Sequence, residues 1–151
     1  MNRRDFVSNT TKALAGSMLL SQSVFAKKKA KHTVGIQLYS VRDEMKKDPM
    51  TTLKKVAEMG YKNVEHANYV NGKFYGWTAT EFKKILDDLG LKMPSGHTVF
   101  GKGHYDEDKK QFTDTWKKLV EDAAICGQKY VISPWLDIAY RKDFDQLKRF
   151  M

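Results

Sequence analysis

The side chains best able to do chemistry stand at the downstream ends of short apolar runs: Gln37 and Tyr39, then Glu65 and His66, then His97, then Trp135. A carboxylate, two imidazoles, an amide, a phenol and an indole are the parts of a pocket for a polyhydroxylated ligand. Planar polar groups meet hydroxyls at the ring edge, and aromatic faces stack on C–H faces. Glu65 follows Val64 in an apolar run, where an ionised carboxylate is costly unless paired or open to a cleft. It reads as a catalytic carboxylate or as a salt bridge to a neighbouring strand's Lys or Arg. His97 lies in Pro94-Ser95-Gly96-His97-Thr98, where Gly96 lets a backbone or ligand come close. It reads as a catalytic imidazole or as a structural hydrogen-bonder. Gln37, Tyr39, His66 and Trp135 are the candidate substrate contacts, although aromatic residues at strand ends also serve as plugs. His32 and His104 stand in polar surroundings and take no role. No metal site can be composed from these residues: there is no His-x-x-x-His and no paired cysteine, and Glu65, His66 and His97 are too few to close a ligand set.

The elements that must position these residues alternate along the chain. Thr33 to Tyr39 reads as a strand, and a loop carries it to Asp48-Pro49, a helix cap with proline at the first helical position. Met50, Leu53, Val56 and Ala57 share one face of that helix up to Gly60. Tyr61 to His66 reads as the second strand, followed by a polar and aromatic loop that contains Asn71-Gly72 and Gly76. Thr78-Ala79-Thr80-Glu81 has the form of a capping box, and Phe82, Ile85, Leu86 and Leu89 are the apolar face behind it. Leu91 to His97 is a third strand. Phe112, Trp116, Leu119, Val120, Ala123 and Ala124 mark a third helix. Tyr130 to Trp135 is the fourth strand, and Asp143, Phe144 and Leu147 open a fourth helix.

Three times a glycine ends a helix and lysine follows two residues later, at Gly60-Tyr61-Lys62, Gly90-Leu91-Lys92 and Gly127-Gln128-Lys129. The repeat predicts about four consecutive βα units, hence an α/β fold with parallel strands, right-handed crossovers and no hairpins. An open doubly wound sheet and the first half of a closed (β/α)₈ barrel both fit. The first strand lacks a Gly-rich loop, which leans toward the barrel.

The N-terminus bounds the compartment. Asn2-Arg3-Arg4-Asp5-Phe6-Val7, a mildly apolar stretch from Ala13 to Phe25, and Val24-Phe25-Ala26 together read as a twin-arginine-type signal peptide over residues 1–26. The stretch is too short and too polar for a stable membrane anchor, so the expected location is periplasmic or otherwise exported. Residues 27–32 form a basic linker and residues 33–151 the N-terminal half of a TIM-barrel domain, expected to be truncated. The formal charge of +9 collects in the signal and linker, and from His32 onward twenty Lys and Arg face seventeen Asp and Glu. Interspersed signs make a solvated surface and argue against a nucleic-acid partner. The single cysteine, Cys126, reads as a small core residue. The chain stops at Arg149-Phe150-Met151 inside the fourth helix, so a longer protein with a missing second half is expected.

The run Val34-Gly35-Ile36-Gln37-Leu38-Tyr39-Ser40-Val41-Arg42, together with Gly60-Tyr61-Lys62-Asn63-Val64-Glu65 and Ser95-Gly96-His97, resembles the xylose isomerase-like TIM barrel superfamily. The likeness is to its exported sugar phosphate isomerase/epimerase-type proteins, over the N-terminal half only. The resemblance implies a small-molecule carbohydrate as ligand and proton transfer next to a sugar carbonyl through an enediolate, with Glu65 and His97 as catalytic residues. It also implies a divalent metal (Mn, Mg, Co or Zn), its ligands expected from later strands that this chain lacks, so the fragment alone is expected to be inactive. The same superfamily includes 3-keto-glycoside lyases or hydrolases and a multi-zinc endonuclease branch, which export disfavours. A non-catalytic exported carbohydrate-binding protein would use the same aromatic strand ends.

Overall fold

The chain follows the alternation, with three additions, a short helix and two hairpins. The computed structural model describes residues 33–136 together with Asp145 and Lys148. The signal, the linker and the helix expected from Asp143 lie outside the described residues, apart from Asp145 and Lys148, which are helical. Strand β1 is Gly35–Gln37. It ends two residues earlier than expected, because a 3-10 turn at Leu38–Val41 buries Leu38 and leaves Tyr39 exposed. The segment expected to be a loop is helical. Helix α1, Arg42–Lys47, has Asp43 and Glu44 in its first turn and Lys46 and Lys47 in its last, charges that complement the helix dipole, and it buries Met45. Helix α2, Pro49–Glu58, starts where the proline puts it, with the Asp48 carboxylate accepting the Thr51 N–H at 3.0 Å.

Strand β2, Asn63–His66, is followed by a hairpin, β3 Tyr69–Val70 and β4 Lys73–Phe74, paired antiparallel. This corrects the expectation of a plain loop. Asn71 and Gly72 both have positive φ, 52° and 72°, as a two-residue turn matched to strand twist requires. The hairpin serves the core: Phe74 is buried and its ring stacks on Phe82 at 5.5 Å. Helix α3, Ala79–Asp88, carries the expected capping box, with Thr78 and Glu81 bonded reciprocally. Strand β5, Lys92–His97, leads to a second unforeseen hairpin, β6 Tyr105–Asp106 with β7 Gln111–Phe112. Phe112 therefore precedes helix α4, Asp114–Ile125, instead of lying on it. The buried face of α4 is Leu119, Asp122 and Ala123, while Val120 and Ala124 are exposed. Asp122 is tolerated there because the Tyr69 hydroxyl donates to it at 2.6 Å and Lys118 pairs with it. Strand β8 is Tyr130–Ile132.

The four long-range strands form one parallel sheet in the order β1-β2-β5-β8. Strand order follows chain order, as in a barrel, whereas a doubly wound sheet would reverse. With right-handed crossovers the helices cover one face. There Leu38, Leu53, Val64, Phe82, Leu86 and Met93 form the core, together with Cys126, whose thiol burial pushes up to about 12. That thiol is inert packing, as its sequence context suggested. The register slips by one residue between β2 and β5: Asn63 faces Lys92 but Glu65 faces Ser95. Pro94, which has no N–H to give the ladder, lies inside the slip.

The Asn71-Gly72 turn gives the first test. Gly72→Ala places a side chain at φ +72° and is expected to lower stability by about 1 kcal/mol. Gly101→Ala, at φ −151° with nothing within 4 Å of the added methyl, is expected to change it by less than about 0.5 kcal/mol. Paired urea melts read the difference, and equal effects would contradict the turn assignment.

Candidate functional site

On the face of the sheet away from the helices, register brings polar residues from three strands into one row. Gln37 pairs with Glu65 across β1 and β2, and Glu65 with Ser95 across β2 and β5. His97, two residues beyond Ser95, shares its face. The Gln37 amide Nε2 donates to Glu65 Oε1 at 2.7 Å, and the Ser95 hydroxyl donates to Oε2. His97 Nε2 lies 3.1 Å from Glu65 Oε1 and 2.9 Å from Gln37 Nε2. No Lys or Arg pairs with Glu65 among the described residues, so the alternative of a rim salt bridge is replaced by this cluster. Glu65 and His97 keep 21% and 25% of their side-chain surface exposed. Burial pushes the Glu65 carboxyl up, but the Ser95 and Gln37 hydrogen bonds and the nearby His97 and His66 imidazoles outweigh it, holding Glu65 below the usual glutamate range.

Above this row the loops enclose a cleft of about 710 Å³. Of the residues singled out in the sequence, Gln37, Tyr39, His97 and Trp135 line it, with Thr98 and Pro134 beside them. Tyr39 and Trp135 are more than half exposed, and the Arg42 guanidinium lies over the Tyr39 ring at 4.9 Å. Glu65 does not line the cleft itself but contacts two residues that do, Gln37 and His97. His66 is not in the wall: it is 2% exposed on the core side of β2, edge-on to Phe74 at 4.8 Å. The wall also includes His104, Thr115 and Leu119. His104 reaches the cleft from the 3-10 turn Lys102–His104 ahead of β6, and the polar sequence around it gives no sign of the aromatic cluster it joins.

His66 explains Gly96. A methyl at Gly96 would fall 2.0 Å from the His66 ring, so only glycine lets that ring pass beneath β5. His66 Nδ1 and both side-chain polar atoms of Gln128 are buried without a partner. Burial pushes the His66 imidazole down to about 4, with Glu65 pulling it up and His97 pushing it further down.

The described residues contain no group of three or more His, Cys, Asp or Glu able to hold a metal ion. Glu65 and His97 supply two donors, already bonded to each other, so the residues present do not by themselves fit the divalent metal that the resemblance implies. No described helix is long and apolar enough to cross a membrane.

Comparison with solved structures finds a sugar phosphate isomerase/epimerase from Parabacteroides distasonis ATCC 8503 with a TM-score of 0.61 and 30% identity, over 78% of this chain and 45% of that one. A second sugar phosphate isomerase/epimerase from the same organism has a TM-score of 0.60 and 28% identity, over 74% of this chain and 41% of that one. The chain thus spans under half the length of the solved structures it matches. No protein-family model matches it, and neither does any curated protein. The neighbours bear out the resemblance to xylose isomerase-like TIM barrels, and the sheet is arranged as the first half of such a barrel.

Two outcomes follow from the packing beneath the row. Gly96→Ala must displace the His66 ring and is expected to cost about 2 kcal/mol or more. In the folded chain His66 stays neutral down to about pH 4, whereas unfolded it takes a proton near 6.5. Unfolding therefore takes up a proton between these values. Stability is expected to be full above about pH 6.5 and to fall by about 3 kcal/mol on the way down to pH 4. Urea melts across that range should show the slope in wild type and lose it in His66→Gln; an unchanged slope in the variant would refute the assignment.

Proposed function

We propose that the protein acts in sugar isomerase/epimerase-like chemistry, moving a proton next to a sugar carbonyl through an enediolate, with Glu65 and His97 as the pair that handles it. The observation that carries the reading is the Glu65–His97 contact beneath a cleft with aromatic walls, in a chain similar to solved sugar phosphate isomerase/epimerases. Glu65 is charged at neutral pH and fixed on both oxygens, so it orients His97 and stabilises positive charge that develops there. His97 belongs to the cleft wall and is the member of the pair that meets the ligand. A lowered carboxyl pKa costs basicity, at about 1.4 kcal/mol per pKa unit. A sugar hydroxyl that draws Gln37 away, or expels water, restores it.

Export after cleavage near Ala26 is part of the proposal, and it favours an unphosphorylated sugar. The divalent metal implied by the resemblance would need ligands besides Glu65 and His97, so the reading rests on the pair itself. The 3-keto-glycoside lyase or hydrolase chemistry would draw on the same residues, and a carbohydrate-binding protein without catalysis would use the same walls.

The test uses the full-length protein with a panel of unphosphorylated ketoses and 3-keto-glycosides, with Mn²⁺ supplied. Glu65→Gln and His97→Gln are each expected to lower turnover about a hundredfold or more with the fold intact. The double variant should be little worse than the weaker single variant, because the two residues act as a unit. Near-normal turnover with a lowered melting point would make the pair structural. Unchanged sugar binding with no turnover in wild type would favour the non-catalytic binder.

A further inference from the structure

His104 is built into the cleft wall by more contacts than its sequence context suggests. Its backbone N–H donates to the Gly101 carbonyl at 2.9 Å, and the Gly101 N–H donates to its ring Nδ1 at 3.1 Å. Its carbonyl accepts the Thr113 N–H at 3.1 Å, and the Thr113 hydroxyl donates to the Gly103 carbonyl at 2.9 Å. Thr113 is the cap of α4, so the helix start holds the backbone of Gly103 and His104 while the Gly101 amide holds the imidazole. The ring packs against Trp116 at 5.0 Å and Phe100 at 5.9 Å.

An imidazole nitrogen that accepts a backbone N–H carries no proton of its own. In the neutral ring the proton is then on Nε2, and protonating Nδ1 would set two donors against each other. Burial works in the same direction, pushing His104 down. Nε2 has no partner among the described residues, and His104 lines the cleft together with Gln37, His97 and Trp135.

We propose that His104, fixed as its Nε2–H tautomer by the Gly101 amide, is a ligand-binding residue. Its Nε2–H donates to a hydroxyl or carbonyl oxygen of an uncharged carbohydrate held between it and the Glu65–His97 pair. The assignment rests on the carbohydrate reading of the cleft and deepens it. A neutral donor lines the same cleft as the Gln37 amide and the His97 imidazole, a set of groups suited to a ligand that both donates and accepts along its edge. A fixed tautomer also adds selectivity, because the wall can offer a donor at this point but no acceptor.

Two substitutions separate binding from packing. His104→Phe keeps an aromatic ring against Trp116 and Phe100 and removes both the Nε2–H donor and the Nδ1 acceptor of the Gly101 amide. His104→Gln returns an amide N–H near the Nε2 position and loses the ring. Calorimetric titration of the full-length protein with D-fructose and with methyl β-D-glucoside reads affinity directly, with thermal melts alongside. His104→Phe is expected to weaken binding about tenfold and to lower the melting point modestly, because the Gly101 N–H loses its Nδ1 acceptor, and His104→Gln to regain most of the affinity although it loses the ring as well. Full affinity in His104→Phe, or a loss in His104→Gln as large as that in His104→Phe, overturns the assignment while leaving the carbohydrate reading in place. A wild type that binds neither sugar overturns both.

Discussion

A carboxylate set into a sheet face has to be satisfied by neighbours on other strands, and Glu65 sets that requirement here. Its own strand cannot supply the donors, because adjacent residues of a strand point to the opposite face. They come from Gln37 on one side and Ser95 on the other. Both must be at Glu65's level, so three strands are held in one register by a polar contact as well as by backbone bonds. A one-residue slip of β1 or β5 would turn Gln37 or Ser95 to the helix side and leave the carboxylate without that donor. The irregularity at Pro94 becomes intelligible in this light. The slip between Asn63 and Glu65 is what brings Ser95, and with it His97, to the correct level.

The two faces of the sheet are coupled through β2 and β5. Glu65 points to the polar face and His66 to the core, while His97 and Gly96 are arranged in the same way on the neighbouring strand. His66 fills the space that Gly96 leaves empty, so packing on the helix side fixes how closely β2 and β5 approach on the site side. Burial keeps His66 neutral at ordinary pH, so it places no positive charge beneath the Glu65–His97 pair. The site's electrostatics therefore depend on a residue that does not line its cleft.

Much of this was legible in the residues, for reasons that can be named. Asp48-Pro49 and Thr78 with Glu81 are local signals whose hydrogen bonds close within one turn, so tertiary context had little to add. The βα repeat and the glycine after each helix fixed the parallel order. The strand ends located Gln37, Glu65 and His97, which the structure brings together. The two hairpins were not legible, because strands of two residues are too short to show alternation, and Asn71-Gly72 alone did not outweigh the helix signal that follows. Helix α1 was missed because its short apolar face is essentially Met45. Beside Glu65, His66 reads as a substrate contact, yet alternation along a strand sends one of any such pair to the core, and only burial says which. His104 was passed over because polar sequence neighbours say nothing about rings brought in from Trp116 and Phe100.

These misses share a pattern that bears on where specificity resides. The regular βα units supply the Glu65–His97 row, and their hydrophobic periodicity announces them in the sequence. The added pieces shape the cleft: the β3–β4 hairpin contributes Tyr69 and the Asn71-Gly72 turn to it, and the loop ahead of β6 contributes His104. Loops on the site side of a sheet are free to vary because the core does not depend on most of their residues. The first hairpin is an exception, since Phe74 is part of the core. Its tip can change with the ligand while its base cannot, and the Tyr69–Asp122 bond ties that base to α4. The same helix, through Thr113, holds the His104 loop. One helix thus sets the position of two walls of the cleft, so substitutions on its buried face should reshape the cleft.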